Sequence, residues 1–372
     1  MASASEAKHV AELFGLGGEE PKAPVLLVGD GNLSFARALS AVSPPSQIVA
    51  TTFEPEAEHA ARFACVEDGS GDVTARLRSV GVRVAHGVDA TDLAGTLPAE
   101  PRAPFSCIVF QFPQHRERRR IQRHRELLRA FFISAVAHLE DAGCVVVSLC
   151  RGQGGTPAEA PRRASDTWQV QTLAAEAGLL LARVEPCPIA ALTALGYRRT
   201  GLRGQGMREA TAERFQDKAF SAEGSFTHVF RREALGVAEA VAAYPLEWQH
   251  DMSFWVQEDF CESVLARLLR EAVGEGAETS MELLDEYRRP EDGRRARTYR
   301  FSVRAFRRAL SQRAWRLLCE GLREEAVVAG VLPRADGRSD SAAGPDTAAA
   351  AAASKSGSED AADAVAGKRA RQ

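Results

Sequence analysis

Residues 24–39 read PVLLVGDGNLSFARAL, and this stretch decides the fold of the first half of the chain. An apolar run, 24–28, leads into two glycines and then into a helical pattern that starts near residue 33. Gly29 and Gly31 permit a tight turn and a close approach of the backbone to a ligand. The pattern predicts a buried strand, a glycine loop and a helix. The loop could hold a dinucleotide, another adenosine-bearing cofactor, or nothing.

The first two hundred residues alternate apolar runs with helical patterns. The runs lie at 24–28, 48–53, 82–85, 107–110 and 144–149, and the helical patterns at 33–42, 55–64, 71–80 and 118–139. Strands separated by helices predict an α/β, Rossmann-like domain whose parallel sheet is covered on both faces. Such sheets bind ligands beyond the carboxyl ends of their strands, which is where the glycine loop lies.

Acidic residues at successive strand ends favour S-adenosylmethionine as the cofactor. Asp30 would repel a pyrophosphate, and Ser34 stands where a dinucleotide fingerprint expects glycine or alanine. S-adenosylmethionine carries cationic amino and sulfonium groups and no phosphate. Glu54 is placed to accept from both ribose hydroxyls, and Asp89, after the third strand, from the adenine amine.

The residues expected to bind the cofactor follow from these positions. Asn32 or Ser34 can also cap the helix after the loop. The set predicted to bind S-adenosylmethionine is Gly29, Asp30, Gly31, Asn32, Ser34, Glu54 and Asp89.

The fourth apolar run ends in VFQFPQH, residues 109–115, which is typical of a loop that grips a flat substrate over a cofactor. Phe112 could stack on a base, Pro113 stiffens the turn, and the Gln111 amide can pair with a base edge. These three residues are the predicted catalytic set. His115 and Asp89 are the candidates for a general base, on position alone.

A strongly basic segment follows this loop. Residues 114–129 hold seven arginines against two glutamates, although the whole chain has a net charge of −3. A phosphate backbone is the natural partner of such a run, although solvated helix faces carry charge runs too. Arg118, Arg119, Arg120 and Arg123 are therefore predicted to contact RNA.

The last third follows a different pattern. A strand at 244–256 precedes a helix at 258–273, a strand around MELLDEY, a turn at RPEDG, a strand at 297–306, a helix at 311–328 and a short strand VLPR. This β-α-β-β-α-β order is the split ferredoxin-like, α+β arrangement. Along 297–305 the residues alternate, which predicts one core face and one basic face.

That basic face is the second predicted RNA contact. Residues 288–308 contain nine arginines and two acids, with aromatic residues between them. Arginines on an exposed sheet face suit a bent RNA backbone. The predicted contacts are Arg300, Arg304, Arg307 and Arg308.

Composition excludes several other classes of protein. Seven cysteines without a C-x-x-C pair indicate reduced core thiols, so neither a disulfide framework nor a zinc site is expected. No apolar stretch reaches the roughly 18–20 residues of a membrane span, and the first twenty residues lack a secretory or transit pattern. We therefore expect an intracellular protein, in the cytoplasm or the nucleolus, with no metal and no membrane partner. Its oligomeric state stays open.

Several motifs resemble one known family. LLVGDGNLSFARAL, VRVAHGVDAT, RELLRAFFISAVAHLEDAGCVVVSL and TWQVQTLAAEAGLLLARV are similar to the Rossmann-like methyltransferases related to the 25S ribosomal RNA uridine-N3 methyltransferase. LCRGQGGTPAEAPRR and GYRRTGLRGQGM resemble its subgroup of ferredoxin-fold anticodon-binding domain-containing proteins. The resemblance implies methylation of uridine N3 with S-adenosylmethionine bound by the glycine loop, Glu54 and Asp89. The family's fourth-strand loop usually reads N-F-P-H, whereas this chain has Gln111 to Gln114.

The C-terminal pattern carries a second resemblance. DMSFWV, LLDEY, YRFSVRAFRRALSQ and VLPR look like the ferredoxin-fold anticodon-binding domain that ends phenylalanyl-tRNA synthetases, which implies contact with tRNA. No class II catalytic motifs precede it, so this chain is not expected to charge tRNA. The predicted organisation is a methyltransferase domain at 22–232, a linker at 233–243, an anticodon-binding domain at 244–334 and a disordered tail at 335–372.

Three functions remain open from the sequence. The first is an RNA base methyltransferase acting on rRNA or tRNA. The second is a non-catalytic RNA-binding or assembly factor that keeps the methyltransferase fold, which Gln111 and Gln114 favour. The third is an accessory factor of phenylalanyl-tRNA metabolism.

Overall fold

A computed structural model describes residues 2–17, 23–63, 73–99, 104–115, 120–199, 220–233 and 241–334. Residues Met1–Gly337 form one compact unit that contains two separate β-sheets. The predicted tail at 335–372 lies outside the described residues. Each sheet has its own apolar core.

Seven strands form the first sheet, in the order β3-β2-β1-β4-β5-β7-β6. Strands β1 to β5 pair in parallel, and β7 runs antiparallel to both β5 and β6. The five apolar runs of the sequence are confirmed as the parallel strands. The strand bounds are β1 (Val25–Val28), β2 (Ile48–Thr51), β3 (Arg83–Ala85), β4 (Phe105–Gln111), β5 (Leu139–Leu149), β6 (Leu179–Pro186) and β7 (Phe226–Arg232).

Eight helices accompany this sheet in the described part of the chain, and two apolar clusters cover its two faces. Alternate residues of β1 point to opposite clusters: Val25 and Leu27 join one, and Leu26 and Val28 join the other. A strand buried on both faces needs this continuous apolar run. The helices are α1 (Ala4–Leu13), α2 (Ser34–Ser40), α3 (Glu56–Phe63), α4 (Val73–Ser79), α5 (Leu93–Thr96), α6 (Ile121–Val136), α7 (Val170–Glu176) and α8 (Ile189–Ala194).

The second sheet has four antiparallel strands in the order β11-β8-β10-β9. The predicted β-α-β-β-α-β order is confirmed, and both helices contribute to the core on one face of the sheet. The elements are β8 (Leu246–Val256), α9 (Ser263–Val273), β9 (Ala277–Arg288), β10 (Arg295–Ala305), α10 (Gln312–Val328) and β11 (Leu332–Pro333).

Strand β10 alternates as its sequence predicts. Tyr299 and Phe301 are fully buried against the helices, and Val303 and Ala305 are almost fully buried. Period-two alternation places the residues between them on the opposite face. That opposite face carries Arg300 and Arg304.

The face that carries these arginines is not the basic surface that the sequence predicted. Arg300 donates two hydrogen bonds of 2.9 Å to the Asp251 carboxylate on β8. Arg304 lies 3.2 Å from Glu247 and 3.5 Å from Glu278, on the two flanking strands. These ion pairs neutralise both guanidiniums, because acidic residues of β8 and β9 stand opposite them in the sheet.

The segment between the sheets is hydrogen-bonded to both of them. Ala243 N donates to Leu181 O at the edge of the first sheet, and Ala242 N donates to Phe306 O beside the second. Ala309 N donates to Glu233 Oε2, and Glu233 Oε1 lies 3.5 Å from Arg308. The division into domains at 233–243 stays a prediction. Within the described ranges, no helix combines the length and the apolar composition that crossing a membrane requires.

Candidate functional site

A cavity of about 770 Å³ opens at the carboxyl ends of β1, β2 and β4. This volume lies within the range of about 300–1,000 Å³ that small-molecule sites occupy. The loops that follow these strands bring most of the predicted site residues together on its wall. Those residues are Gly29, Asp30, Gly31, Asn32, Glu54, Asp89, Gln111, Phe112, Pro113, His115 and Arg123.

Glycine is favoured for a different structural reason at each of the two loop positions, 29 and 31. Gly29 has a φ of +66°, and a Cβ there would lie 3.0 Å from the Phe110 ring. Gly31 has no such constraint, because a Cβ at this position would meet no atom of the described residues within 4 Å. Gly31 therefore exposes bare backbone to the cavity, as close contact with a ligand requires.

The Asp30 carboxylate lies on the cavity wall and also accepts hydrogen bonds from backbone amides of the protein. Its two oxygens accept from Phe35 N at 3.3 Å and Ala36 N at 2.7 Å, at the first turn of α2. The sequence predicted that this carboxylate contacts the cofactor. In the structure it also caps the first turn of α2. Burial raises the pKa of Asp30 to about 6, although the two amides oppose that shift.

Asn32 and Ser34 tie the glycine loop to the segment that follows α8. Ser34 Oγ accepts from Arg198 N at 2.9 Å, and Asn32 Nδ2 donates to Arg198 O at 3.0 Å. Asn32 Oδ1 also accepts from Ser34 N, which satisfies an amide at the start of α2. Both residues were predicted to bind the cofactor, but these contacts hold the GYRR segment against the loop.

Glu54 and Asp89 both lie on the cavity wall, after β2 and β3. Asp89 Oδ1 accepts from Thr91 N at 2.8 Å and Thr91 Oγ1 at 2.7 Å, so Oδ2 is the oxygen that remains for a ligand. Phe53, directly before Glu54, is 47% exposed although it is a large aromatic residue. The sequence analysis did not single out Phe53, and its position next to the predicted ribose ligand was the available signal.

The loop after β4 differs from its prediction at Phe112. This side chain is only 9% exposed, and its ring packs edge-on against Phe220 with centroids 4.9 Å apart. Phe112 also has a φ of +51°, a strained conformation that the surrounding packing must hold. Its ring is therefore packed largely in the core while it also lines the cavity, and its stacking on a base stays a prediction.

Helix α6 anchors the far end of this loop. His115 N donates to His124 Nδ1 at 3.3 Å, and the His124 ring stacks on Trp168 at 4.2 Å. Arg123 reaches the cavity wall and pairs with Glu126 at 2.8 Å, while Arg120 is exposed at the start of the helix. Arg118 and Arg119, two of the predicted RNA contacts, lie outside the described residues.

The loop after β5 contains a buried carboxylate, Glu159, beside the His228 ring of β7, a contact that the sequence analysis missed. Glu159 lies 3.5 Å from His228 Nε2, and both side chains are fully buried. Glu159 also accepts from Gly154 N and Thr156 N. Gly154 packs against this pair so closely that a Cβ would lie 2.4 Å from the carboxylate. This contact explains Gly154 of the G-Q-G-G motif, in the loop that also places Cys150 and Gln153 on the cavity wall.

An aromatic pair at one end of the second sheet, Trp255 and Tyr287, is surrounded by arginines. The two ring centroids are 6.5 Å apart. The guanidinium carbons of Arg289, Arg294 and Arg334 lie 4.4, 4.8 and 5.4 Å from the Trp255 centroid, and that of Arg334 lies 4.4 Å from Tyr287. We call these five residues the aromatic–arginine cluster. Here the second sheet combines ring faces with cationic charge.

The remaining predicted arginines lie beyond β10. Arg308 pairs with Glu233 at 3.5 Å, and Arg307 N donates to Gly276 O. The six cysteines of the described ranges are free thiols, and Cys65 lies outside them. Within the same ranges, no group of three or more His, Cys, Asp or Glu side chains is placed to hold a metal ion.

The strand order defines the class of the first domain. An all-parallel dinucleotide-binding sheet has the order 3-2-1-4-5-6, whereas here a reversed β7 stands between β5 and β6. This mixed sheet is the fold of Rossmann-like, S-adenosylmethionine-dependent methyltransferases. Residues 26–198 match the model of the BMT5-like family, described as "rRNA (uridine-N3-)-methyltransferase BTM5-like". The matched segment makes up just under half of the chain.

Two curated relatives match more than half of the chain. The mouse ferredoxin-fold anticodon-binding domain-containing protein 1 homolog is 39% identical over 208 residues, covering 55% of this chain and 30% of that protein. Human ferredoxin-fold anticodon-binding domain-containing protein 1 is 40% identical over 210 residues, covering 56% of this chain and 31% of that protein. The matched part thus spans less than a third of each relative's length.

Several solved structures also match part of the chain. The TehB-like SAM-dependent methyltransferase of Corynebacterium glutamicum is 12% identical, with 61% of this chain and 87% of that chain covered and a TM-score of 0.32. TrmN of Thermus thermophilus is 17% identical, with 61% and 48% covered and a TM-score of 0.31.

Proposed function

We propose that this protein is an S-adenosylmethionine-dependent RNA base methyltransferase. The observation that carries the proposal is the bare backbone of Gly31, which opens into a cavity of about 770 Å³ with Glu54 and Asp89 on its wall. Uridine N3 of ribosomal RNA is the first acceptor to test, because it is the acceptor in the description of the matching family.

The residues on the cavity wall fit this cofactor. Glu54 would accept from the ribose hydroxyls, Asp89 from the adenine amine through its remaining oxygen, and Phe53 offers an exposed ring to an adenine face. When bound, S-adenosylmethionine supplies an activated methyl group on its sulfonium. The protein's main contribution is then to align the acceptor nitrogen with that group and to exclude water.

The loop at 111–115 would receive the target base. Gln111 offers its amide on the cavity wall, Pro113 stiffens the turn, and His115 is the candidate for removing the proton of the acceptor nitrogen. Phe112 contributes by packing against Phe220, which supports the loop from behind. An extruded, unstacked base is the form of substrate that such a closed site can accept.

Calorimetry with the purified protein tests the cofactor assignment. Glu54→Ala should weaken S-adenosylmethionine binding by about 1.5–3 kcal/mol, the value of hydrogen bonds to a charged group. Glu58→Ala, an exposed change on the next helix, is the matched control and should bind as the wild type does. Undetectable binding by the wild type, or tighter binding of NAD, would refute the assignment.

Methyl transfer is tested on RNA from cells that lack the protein. Labelled S-adenosylmethionine is the donor, and nucleoside mass spectrometry identifies the product. A bound cofactor with no methylated nucleoside in any RNA fraction would favour the second candidate function, a non-catalytic RNA-binding factor. The replacement of the family's asparagine by Gln111 is the observation that supports this candidate.

RNA binding by the second sheet is part of the same proposal, and the aromatic–arginine cluster supports it better than the arginines of β10. Ring faces beside guanidiniums suit unpaired bases and their phosphates, whereas Arg300 and Arg304 are already paired with carboxylates. Partners would be rRNA or tRNA, which would place the protein in the cytoplasm or the nucleolus. Fluorescent tagging of the full chain tests that location.

Two variants test whether the aromatic–arginine cluster or the arginine face of β10 contacts RNA. Trp255→Ala should weaken binding of total cellular RNA by about 1–3 kcal/mol, as expected for one lost stacking contact. The double variant Arg300→Gln, Arg304→Gln should leave the affinity and its salt dependence unchanged. An unchanged RNA affinity in Trp255→Ala, together with a weaker affinity in the double variant, would instead identify the face of β10 as the RNA contact. Crosslinking to phenylalanine tRNA alone would favour an accessory role in phenylalanyl-tRNA metabolism.

A further inference from the structure

A chain of polar side chains crosses the first sheet beneath the cavity, at the carboxyl ends of β4 and β5 and the amino end of β7. Gln111 on β4 stands beside Ser148 on β5, and Ser148 stands opposite Thr227 on β7. Cys187, directly after β6, joins them from the far edge. Ser148 and Thr227 are fully buried and Cys187 is 9% exposed, so these groups depend on one another for hydrogen bonds.

Two of the hydrogen bonds in this chain, those made by Cys187, have a defined donor and acceptor. Ser148 Oγ and Thr227 Oγ1 are 2.9 Å apart. The Cys187 thiol donates to Ser148 Oγ at 3.9 Å, and Gln111 Nε2 donates to Cys187 Sγ at 3.7 Å. Since the thiol has a single hydrogen and gives it to Ser148, its sulfur is left as an acceptor for Gln111. The nitrogen end of the amide is therefore turned toward Cys187.

The oxygen end of the same amide lacks a partner. Gln111 Oε1 is buried and accepts no hydrogen bond from any residue that the structure describes. A buried acceptor without a donor is unfavourable by about 1–3 kcal/mol, so its presence needs a reason. Because Gln111 lies on the cavity wall, a ligand with an N–H group can supply the missing donor.

We propose that Cys187 is a positioning residue: its thiol holds the Gln111 amide so that Oε1 accepts a hydrogen bond from an N–H group of the target base. This inference rests on the proposed methyl transfer and adds Cys187 to it. The thiol touches neither cofactor nor base, and it acts only through the orientation of Gln111. Ser148 and Thr227 in turn fix the direction of the thiol hydrogen.

Three variants in the full chain test the role. Cys187→Ala should lower kcat for methyl transfer about three- to tenfold, the equivalent of one lost hydrogen bond, with the S-adenosylmethionine affinity unchanged. Cys187→Ser keeps a donor and an acceptor and should restore most of the rate. Cys319→Ala, which removes a buried thiol from helix α10 in the core of the second sheet, is the matched control and should leave kcat unchanged.

A second background separates positioning from simple destabilisation. Gln111→Glu has an oxygen at both ends of its side chain, so its orientation no longer matters. In that background Cys187→Ala should have no further effect on kcat. An equal loss of rate in both backgrounds would overturn the proposal, as would a full-rate Cys187→Ala variant.

The contact can also be measured without activity. The side-chain amide resonances of Gln111, identified by their loss in Gln111→Glu, should shift in Cys187→Ala and stay near their wild-type positions in Cys319→Ala. Unshifted resonances in Cys187→Ala would refute the contact itself. A shift in Cys187→Ala, combined with a wild-type protein that methylates no RNA, would instead confirm the contact and refute the proposed function.

Discussion

Replacing the second glycine of the loop by alanine should separate cofactor binding from folding. A Cβ at Gly31 meets no atom within 4 Å in the part of the chain that the structure describes, and this residue does not have a positive φ. Gly31→Ala should therefore fold normally and gain about 0.4–1 kcal/mol in the free energy of unfolding, because the unfolded chain loses freedom. The added methyl group projects into the space that the cofactor backbone contact would use. S-adenosylmethionine affinity should fall about 10–200-fold, the effect of one surplus carbon in a fitted pocket.

The neighbouring glycine provides the control. Gly29 has a φ of +66°, and its Cβ would lie 3.0 Å from the Phe110 ring. Gly29→Ala should therefore lose about 1–2 kcal/mol of stability, since an L-residue is unfavourable in this conformation. In urea unfolding, Gly31→Ala should be more stable than the wild type, and Gly29→Ala should be less stable.

Calorimetry with S-adenosylmethionine completes the test. Wild-type affinity in Gly31→Ala would refute the idea that the cofactor lies against this backbone. A loss of stability in Gly31→Ala equal to that of Gly29→Ala would refute the argument that the space beside Gly31 is open.

Three further predictions concern stability. Burial raises the Asp30 pKa from 3.8 to about 6, so the protonated carboxyl contributes its full stabilisation below pH 4, and this is lost as the pH rises through 6. Between pH 4 and 7, urea unfolding should therefore show a fall of at most about 3 kcal/mol in the free energy of unfolding, and Asp30→Asn should not show this fall. Phe112→Ala should lose about 3–5 kcal/mol in the same assay at pH 7, because the ring is core, and an unchanged stability would contradict its burial. Gly154→Ala should lose about 1–3 kcal/mol by overpacking the buried Glu159 and His228 side chains. Gly321→Ala, which meets no atom of the described residues within 4 Å, should gain about 0.5–1 kcal/mol; equal thermal midpoints would contradict this.

The sequence by itself determined the five parallel strands, the order of elements in the second sheet and the side of the first sheet where the site lies, whereas the place of β6 and of the reversed β7 beside β5 was not predicted. Apolar runs such as 24–28 and 144–149 are buried on both faces of a parallel sheet, and hydrophobic burial requires that pattern whatever the loops do. The alternation of β10 likewise fixed which residues are core, because a strand has a period of two. Glycines after the first strand then marked the loop on the cavity wall.

Only the tertiary structure decided what individual polar and aromatic side chains do. Asp30 caps α2, and Arg300 is paired with Asp251 on a strand 49 positions away. Phe112 is covered by Phe220, which is distant in sequence. Burial by period depends on local spacing, but ion pairs, caps and ring contacts depend on which strands become neighbours. A run of arginines therefore shows charge in the sequence, while the acids that neutralise it become visible only when the sheet is assembled.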